Sequence, residues 1–289
     1  MERKIDFMCV GVQKAGTTTL HDILNQHPDL CLPLKKETHF FSNSELFRKG
    51  LDHYFDNYFE KAEHQLYGEI DPEYSYENSA AERIYNSFGQ IKILFILRNP
   101  IDRAYSQYLM TKRRGLEELS FMDALREEKE RLSDGESRFH HSYLSRGYYS
   151  GQLANYEKYF EAHNIKVILF EEFIKNTEKH VQQISNFIAL PKFQFITDRV
   201  SNPASEPRIK GIQKFIYSKS KFKNLIGKLI VSKDIKRKMM QAVERQNLKK
   251  IDKEELPEEI RKSVYEEYYH SEIEELERKL KLDLSIWKP

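Results

Sequence analysis

Apolar and polar positions along the chain fall into two alternating periods. Residues 5–10 (IDFMCV) form a short apolar run, and a helical pattern follows from Thr18 to Gln26, stopping before His27–Pro28. YGEI (67–70) reads as a strand, and AAERIYNSF (80–88) has the 3.6-residue period of an amphipathic helix. IKILFILR (91–98) is continuously apolar up to its last residue, as expected of a strand covered on both faces. After Asn99–Pro100, IDRAYSQYLMTKRR reads as a helix with Pro near its start. Residues 120–132 and 151–163 (GQLANYEKYFEAH) are helical, and IKVILFEEF (165–173) is a further strand. NTEKHVQQISNFIAL (176–190) predicts a helix capped by Asn or Thr.

Strands alternating with amphipathic helices predict an α/β fold: a P-loop-like, mostly parallel sheet flanked by helices. The last third loses its strands and predicts a helical C-terminal portion. The expectation is one domain over residues 1–289, with a helical, basic portion from about 205. An alternative boundary lies near residue 200, where SNPASEPR breaks the pattern.

Composition adds bounds. With 289 residues, 39% hydrophobic and 32% charged, the chain can bury a substantial core. No run of 18 apolar residues occurs, so no membrane span is expected. The start, MERKIDFMCVG, lacks the apolar core of a signal peptide, which predicts a cytoplasmic protein. Cys9 and Cys31 have no metal-ligand spacing, so no metal is expected. Net charge is only +2, but residues 208–238 carry eleven Lys/Arg against one acid, Asp234. That block predicts an anionic partner. Its plain reading is a solvated helix face; its sharper one is a peripheral contact with a charged glycan or with lipid head groups at a membrane. Nucleic acid is not expected as a partner.

The chemistry concentrates in three motifs. GVQKAGTTT (11–19) joins the first strand to the first helix, which is the setting of a phosphate-binding loop. Gly11 and Gly16 have the spacing of a triphosphate loop, but Thr17 stands where its Lys belongs and Lys14 lies inside the loop. Backbone N–H groups of Ala15 and Gly16, with Thr17, Thr18 and Thr19, suit an anionic group. No apolar run ends in an Asp suited to Mg²⁺: one ends in Arg98, the other in Glu171. In the second motif, ILRNPIDRAYSQYL, Arg98 closes a buried strand at the edge where α/β proteins bind ligands, and Ser106 lies eight residues on. Arg103, between them, reads as a solvated helix residue. The third motif, LKKETHFF (34–41), offers Glu37 and His39, which would share one side of a strand.

Together GVQKAGTTTL, KKETHFF and ILRNPIDRAYSQYL closely resemble the sulfotransferases that use 3′-phosphoadenosine 5′-phosphosulfate (PAPS), and most of all the carbohydrate branch with the heparan sulfate enzymes and their bacterial relatives. GYYSGQLANYEKYF, IKVILFEEFIKN and LERKLKLDLSIW extend the likeness over most of the chain. The resemblance implies PAPS as donor, 3′,5′-adenosine bisphosphate (PAP) as product and no metal. It implies Lys14 beside the breaking bond, Arg98 and Ser106 on the 3′-phosphate, and Glu37 as base, with His39 auxiliary or substrate-orienting. The residues alone leave either Glu37 or His39 able to take the proton. GEIDPEYSY (68–76) looks like the family's Glu-x-[Ser/Thr]-Pro-x-Tyr segment, but Ile70 replaces a catalytic Lys and Asp71 fills the Ser/Thr place. Asp71 is expected either to contact the acceptor or to cap the following turn. Tyr148 in RGYYS is expected on adenosine or as a packed aromatic, and Arg208 and Lys210 on a loop closing over the 3′-phosphate. The implied acceptor is a hydroxyl of a glycan or glycolipid. The rival readings are an atypical P-loop kinase and a non-catalytic nucleotide-binding or membrane-surface module.

Overall fold

The computed structural model describes residues 4–60, 66–132, 137–198, 205–207, 243, 247–250 and 254–289. Its chain folds as two compact units: residues 1–103, 146–201 and 265–289 form the first, and 104–145 with 202–264 the second.

The first unit is built on a five-stranded sheet in the order β2-β3-β1-β4-β5: β1 Phe7–Gly11, β2 Leu30–Cys31, β3 Leu66–Ile70, β4 Lys92–Leu97 and β5 Ile165–Leu169. Every pairing is parallel. Helices cover it, so β1 and Ile93–Leu97 of β4 are wholly buried, which explains their unbroken apolar character. Helix α1 (Thr17–Leu24) turns Thr17, Leu20, Ile23 and Leu24 inward at helical spacing. The helix Thr177–Phe187 begins on Asn176, whose side chain accepts from the Lys179 N–H at 3.1 Å, so Asn supplies the expected cap. Cys9 and Cys31 are both buried and form no disulfide; burial pushes the Cys9 thiol up to about 12.

The predicted α/β class, with parallel strands and C-terminal helices, is what the chain adopts. Two expectations need correction. β5 stops at Leu169, and Phe170–Lys175 is helical. Glu171 and Glu172 in the first turn favour a helix start there, and Phe173, three residues from Phe170, supplies the buried contact. Arg103, expected in solvent, is wholly buried. In the helix Pro100–Arg113 it shares the face of Gln107 and Thr111, which are buried with it.

The second unit is described mainly by its helices and by a two-stranded antiparallel ladder, Ser205–Pro207 with Leu248–Lys250. Its interior is organised by buried Glu117, which accepts from Arg131 Nη1 at 2.7 Å and Tyr143 Oη at 2.9 Å. Nearby in sequence, Glu128 receives the N–H groups of Leu144 and Ser145. Among the described residues no helix is long and apolar enough to cross a membrane.

One position tests the sheet register. Gly68 faces Phe7 across β1 and β3, and a Cβ there would stand 2.0 Å from the Phe7 ring. Gly68→Ala is expected to lower the unfolding free energy by about 1–3 kcal/mol through overpacking, read by urea denaturation.

Candidate functional site

The sheet order places β3 and β4 on either side of β1. Chain segments leaving the carboxyl ends of these three parallel strands therefore meet at one edge, the usual ligand edge of an open α/β sheet. The loop after β1 carries Lys14, the turn after β3 carries Asp71, and β4 is followed by Arg98.

The loop after β1 extends the sheet by one bond, Val12 N–H to Ile96 O at 2.9 Å, and then turns back at Ala15 N–H to Val12 O. Lys14 has φ 71° and Gly16 φ 78°, both left-handed. Gly16 is required twice. Only glycine adopts that φ without penalty, and a Cβ would lie 3.0 Å from the Phe170 ring. Gly16 is also the N-cap of α1, with no side-chain cap and no acid in the first turn, so the helix start keeps its positive partial charge. Thr17 is buried, while Thr18 and Thr19 are half-buried.

Arg98 is tied to this loop. Its Nη1 donates to Lys14 O at 2.8 Å, its guanidinium lies 4.9 Å from the Phe170 ring centroid, and its carbonyl accepts from Tyr149 Oη at 2.9 Å. Burial lowers the Arg98 pKa, opposed by Asp102 and Glu171, yet a guanidinium keeps its charge. Phe170 thus touches both the loop glycine and the arginine. Nothing in the sequence sets it apart from a core aromatic except its place just after β5. Glu171, next along, is occupied structurally: it accepts from the Asn99 N–H at 2.9 Å and from Trp287 Nε1 at 3.2 Å.

Glu37 and His39 do not lie on a strand as expected. Both are left-handed, at φ 63° and 56°, and Thr38 between them is buried. The reason is a carboxylate that sequence reasoning did not single out. Glu69, wholly buried on β3, accepts from Thr38 N–H at 3.2 Å, Thr38 Oγ1 at 2.6 Å, Tyr54 Oη at 2.5 Å and Tyr74 Oη at 3.1 Å. Two residues on, Asp71 is also wholly buried; one oxygen accepts from the His39 N–H at 2.8 Å and the other from the Glu73 N–H at 3.0 Å. Alternation along the strand end gives the two carboxylates adjacent residues of the loop to hold. The visible signal was an acid inside an apolar strand pattern, repeated at the next alternate position. Glu37 is ion-paired with Lys36, and the Glu37 side chain remains 38% exposed. Three of the five non-glycine residues with positive φ among the described residues are thus Lys14, Glu37 and His39. Each such conformation costs roughly 1–3 kcal/mol, and such costs gather at functional sites.

Other expected site residues are placed as follows. Ser106 lies in the helix Pro100–Arg113, within the second unit. Tyr148 is 40% exposed, donates from Oη to Tyr268 O at 3.3 Å and packs on Tyr269. Arg208, Lys210 and the cationic block 208–238 lie outside the described residues. Among the described residues no group of three or more His, Cys, Asp or Glu is placed to hold a metal ion.

A family model described as a sulfotransferase domain matches residues 4–280. The chain belongs to the sulfotransferase domain family. This sulfotransferase-family chain is similar to heparan sulfate glucosamine 3-O-sulfotransferase 5 of Mus musculus and Homo sapiens, 28% identical over 188 residues, covering 63% of this chain and 52% of each relative. Mus musculus heparan sulfate glucosamine 3-O-sulfotransferase 3A1 is 27% identical over 195 residues, 66% of this chain and 46% of that one. The chain spans about half the length of these curated relatives. A crystal structure of a sulfotransferase from Alicyclobacillus acidocaldarius superposes with a TM-score of 0.68 at 26% identity, covering 99% of both chains.

The buried acid gives a pH signature. Burial first, then the charge of Asp71, raises the Glu69 pKa to about 7, against the Thr38 and Tyr54 hydrogen bonds. The folded chain then holds a proton that the unfolded chain releases near 4.5, so this group's contribution makes stability fall as pH rises from 4.5 towards 7. Glu69→Gln is expected to flatten that slope in urea unfolding; an unchanged slope would mean that Glu69 is ionised throughout.

Proposed function

We propose that the chain transfers a sulfuryl group from PAPS to a hydroxyl of a carbohydrate or glycolipid acceptor. The observation that carries this reading is the loop after β1, with its lysine inside the turn and its backbone tied to Arg98. A phosphosulfate needs an anion cradle and one cation beside the sulfur-bridging oxygen. It does not need the outer-phosphate lysine or the Mg²⁺ ligand of a triphosphate loop. Family membership supports sulfuryl transfer, and the names of the relatives support a glycan acceptor.

In the proposed step the acceptor oxygen attacks sulfur in line and forms the new O–S bond. The bond from sulfur to the 5′-phosphate oxygen breaks, and its electron pair leaves on PAP. Glu37 takes the acceptor's proton. Lys14 and the N–H groups of residues 15–19 stabilise charge on the departing phosphate, an interaction that strengthens as the bond breaks. Arg98, and Ser106 by the family resemblance, hold the 3′-phosphate, and Tyr148 meets the adenosine. The family resemblance adds Arg208 and Lys210 as 3′-phosphate ligands, and the charge of block 208–238 suits an anionic acceptor. A single domain over the whole chain is the simplest host for this reaction, as one family model covers residues in both units.

Thermal shift with PAP and with ATP–Mg²⁺ tests the donor site. PAP at 100 times its dissociation constant is expected to add about 2.7 kcal/mol of stability; stabilisation by ATP–Mg²⁺ alone contradicts the proposal. Transfer of labelled sulfate from PAPS to a panel of heparan-type glycans, glycolipids and small alcohols then finds the acceptor. On that acceptor Glu37→Gln is expected to lose about 10²–10⁴-fold in turnover. Lys14→Ala should lose about 10²–10³-fold with PAP affinity changed little. Full single-turnover rates in either variant remove that residue from the mechanism.

A further inference from the structure

Asp71 stands where the resemblance expects Ser or Thr, and its surroundings give it a use of its own. It is wholly buried at the end of β3, and its backbone N–H is fixed to Cys9 O at 3.0 Å. One carboxylate oxygen is committed to the turn after β3, on the Glu73 N–H. The other oxygen meets His39 twice, at its backbone N–H at 2.8 Å and at its ring Nδ1 at 3.2 Å. A turn cap needs only the first oxygen. The second accepts from the His39 main chain and lies within ion-pair distance of its ring, in a residue whose backbone is already left-handed. The His39 side chain is 29% exposed while Nδ1 itself is buried.

We propose that Asp71 is a positioning residue for the sulfuryl-transfer reaction: it fixes the His39 ring and its Nδ1–H tautomer, so that Nε2 accepts the hydrogen bond of the acceptor hydroxyl and aims its oxygen at sulfur. This rests on the reading of residues 37–39 as the segment that meets the acceptor. A carboxylate against Nδ1 selects the proton on that nitrogen, leaving Nε2 as the acceptor nitrogen of the neutral ring. Glu37 keeps the role of base, and no bond beyond those of the transfer step is made or broken. The groups facing His39 are Asp71 and Glu73 from the turn after β3 and Glu37 from its own loop. Glu37 is paired with Lys36, and Glu73 with Arg146 at 2.8 Å. Burial pulls the His39 pKa down, but the Asp71 contact and the three carboxylates outweigh it, and the net direction is up. Below this raised pKa the ring is an imidazolium whose Nε2 cannot accept, so the positioning role belongs to the neutral ring above it. The stability that the raised pKa contributes is present below the ordinary histidine pKa and is lost as pH rises through the raised one.

The test is long-range ¹H–¹⁵N correlation on the full chain labelled at histidine, with His39 assigned by its absence in His39→Gln. At high pH the wild-type ring is expected as the Nδ1–H tautomer. In Asp71→Asn its titration midpoint should fall by roughly one pH unit or more, while PAP still stabilises the fold. An Nε2–H tautomer in the wild-type protein overturns the proposal, and so does an unchanged midpoint in a folded Asp71→Asn. If that variant does not fold, the wild-type tautomer decides alone. If the tautomer and midpoint behave as expected but no acceptor is sulfated, the His39–Asp71 pair stands and the sulfuryl-transfer reading fails. On an active acceptor, Asp71→Asn should lower kcat and move the acidic limb of kcat/KM to lower pH; a uniform loss with an unmoved limb would assign Asp71 to folding alone.

Discussion

Two carboxylates two residues apart at the end of one buried strand would repel each other and cost several kcal/mol to desolvate if nothing met them. Glu69 and Asp71 are in that position, and the chain meets them with Thr38, Tyr54, Tyr74, the His39 main chain and ring, and the Glu73 N–H. Removing one partner would leave a buried carboxyl oxygen unsatisfied, so the residue 37–39 segment cannot move away from β3 cheaply. Its two left-handed residues are held by this network, with Glu37 and His39 flanking the pinned Thr38. The position of residues 37–39 is thereby set by hydrogen bonds to acids at the end of β3.

The loop after β1 is held by a different set of contacts. The loop after β1 has no acid in the first turn of α1, a glycine at its cap and one lysine in a left-handed turn, all of which favour an anion. Arg98 links that loop to the end of β4, and Phe170 packs against both. Trp287, wholly buried near the chain's end, binds through Asn99 and Glu171 to the segments that follow β4 and β5. The C-terminal tail thus helps fix the strand ends from which these groups project.

Most of this architecture was legible along the chain because period and burial coincide: β1, β4 and α1 read as they fold. So did the loop's displaced lysine and the arginine at a strand end. The exceptions have more than one cause. Arg103 looked solvated because charge outweighs a single helical spacing in a local reading, yet its face is shared with buried Gln107 and Thr111. Glu37 and His39 looked like strand neighbours because their backbone is dictated by Glu69 and Asp71, about thirty residues away in sequence. β5 ended early because Glu171 and Glu172 favour a helix start there, and Glu171 is also engaged by Asn99 and Trp287. Contacts of that sequence separation leave no local period, although acids alternating at the end of an apolar strand were a visible sign.

In the proposed function the loop, the arginine and the helix start form one donor site. A crystal structure of the chain with PAP bound examines it directly. The 5′-phosphate is expected on the N–H groups of residues 15–19 beside Lys14, and the 3′-phosphate within hydrogen-bond reach of Arg98. A 5′-phosphate bound elsewhere, or a nucleotide in the reverse direction, would contradict it.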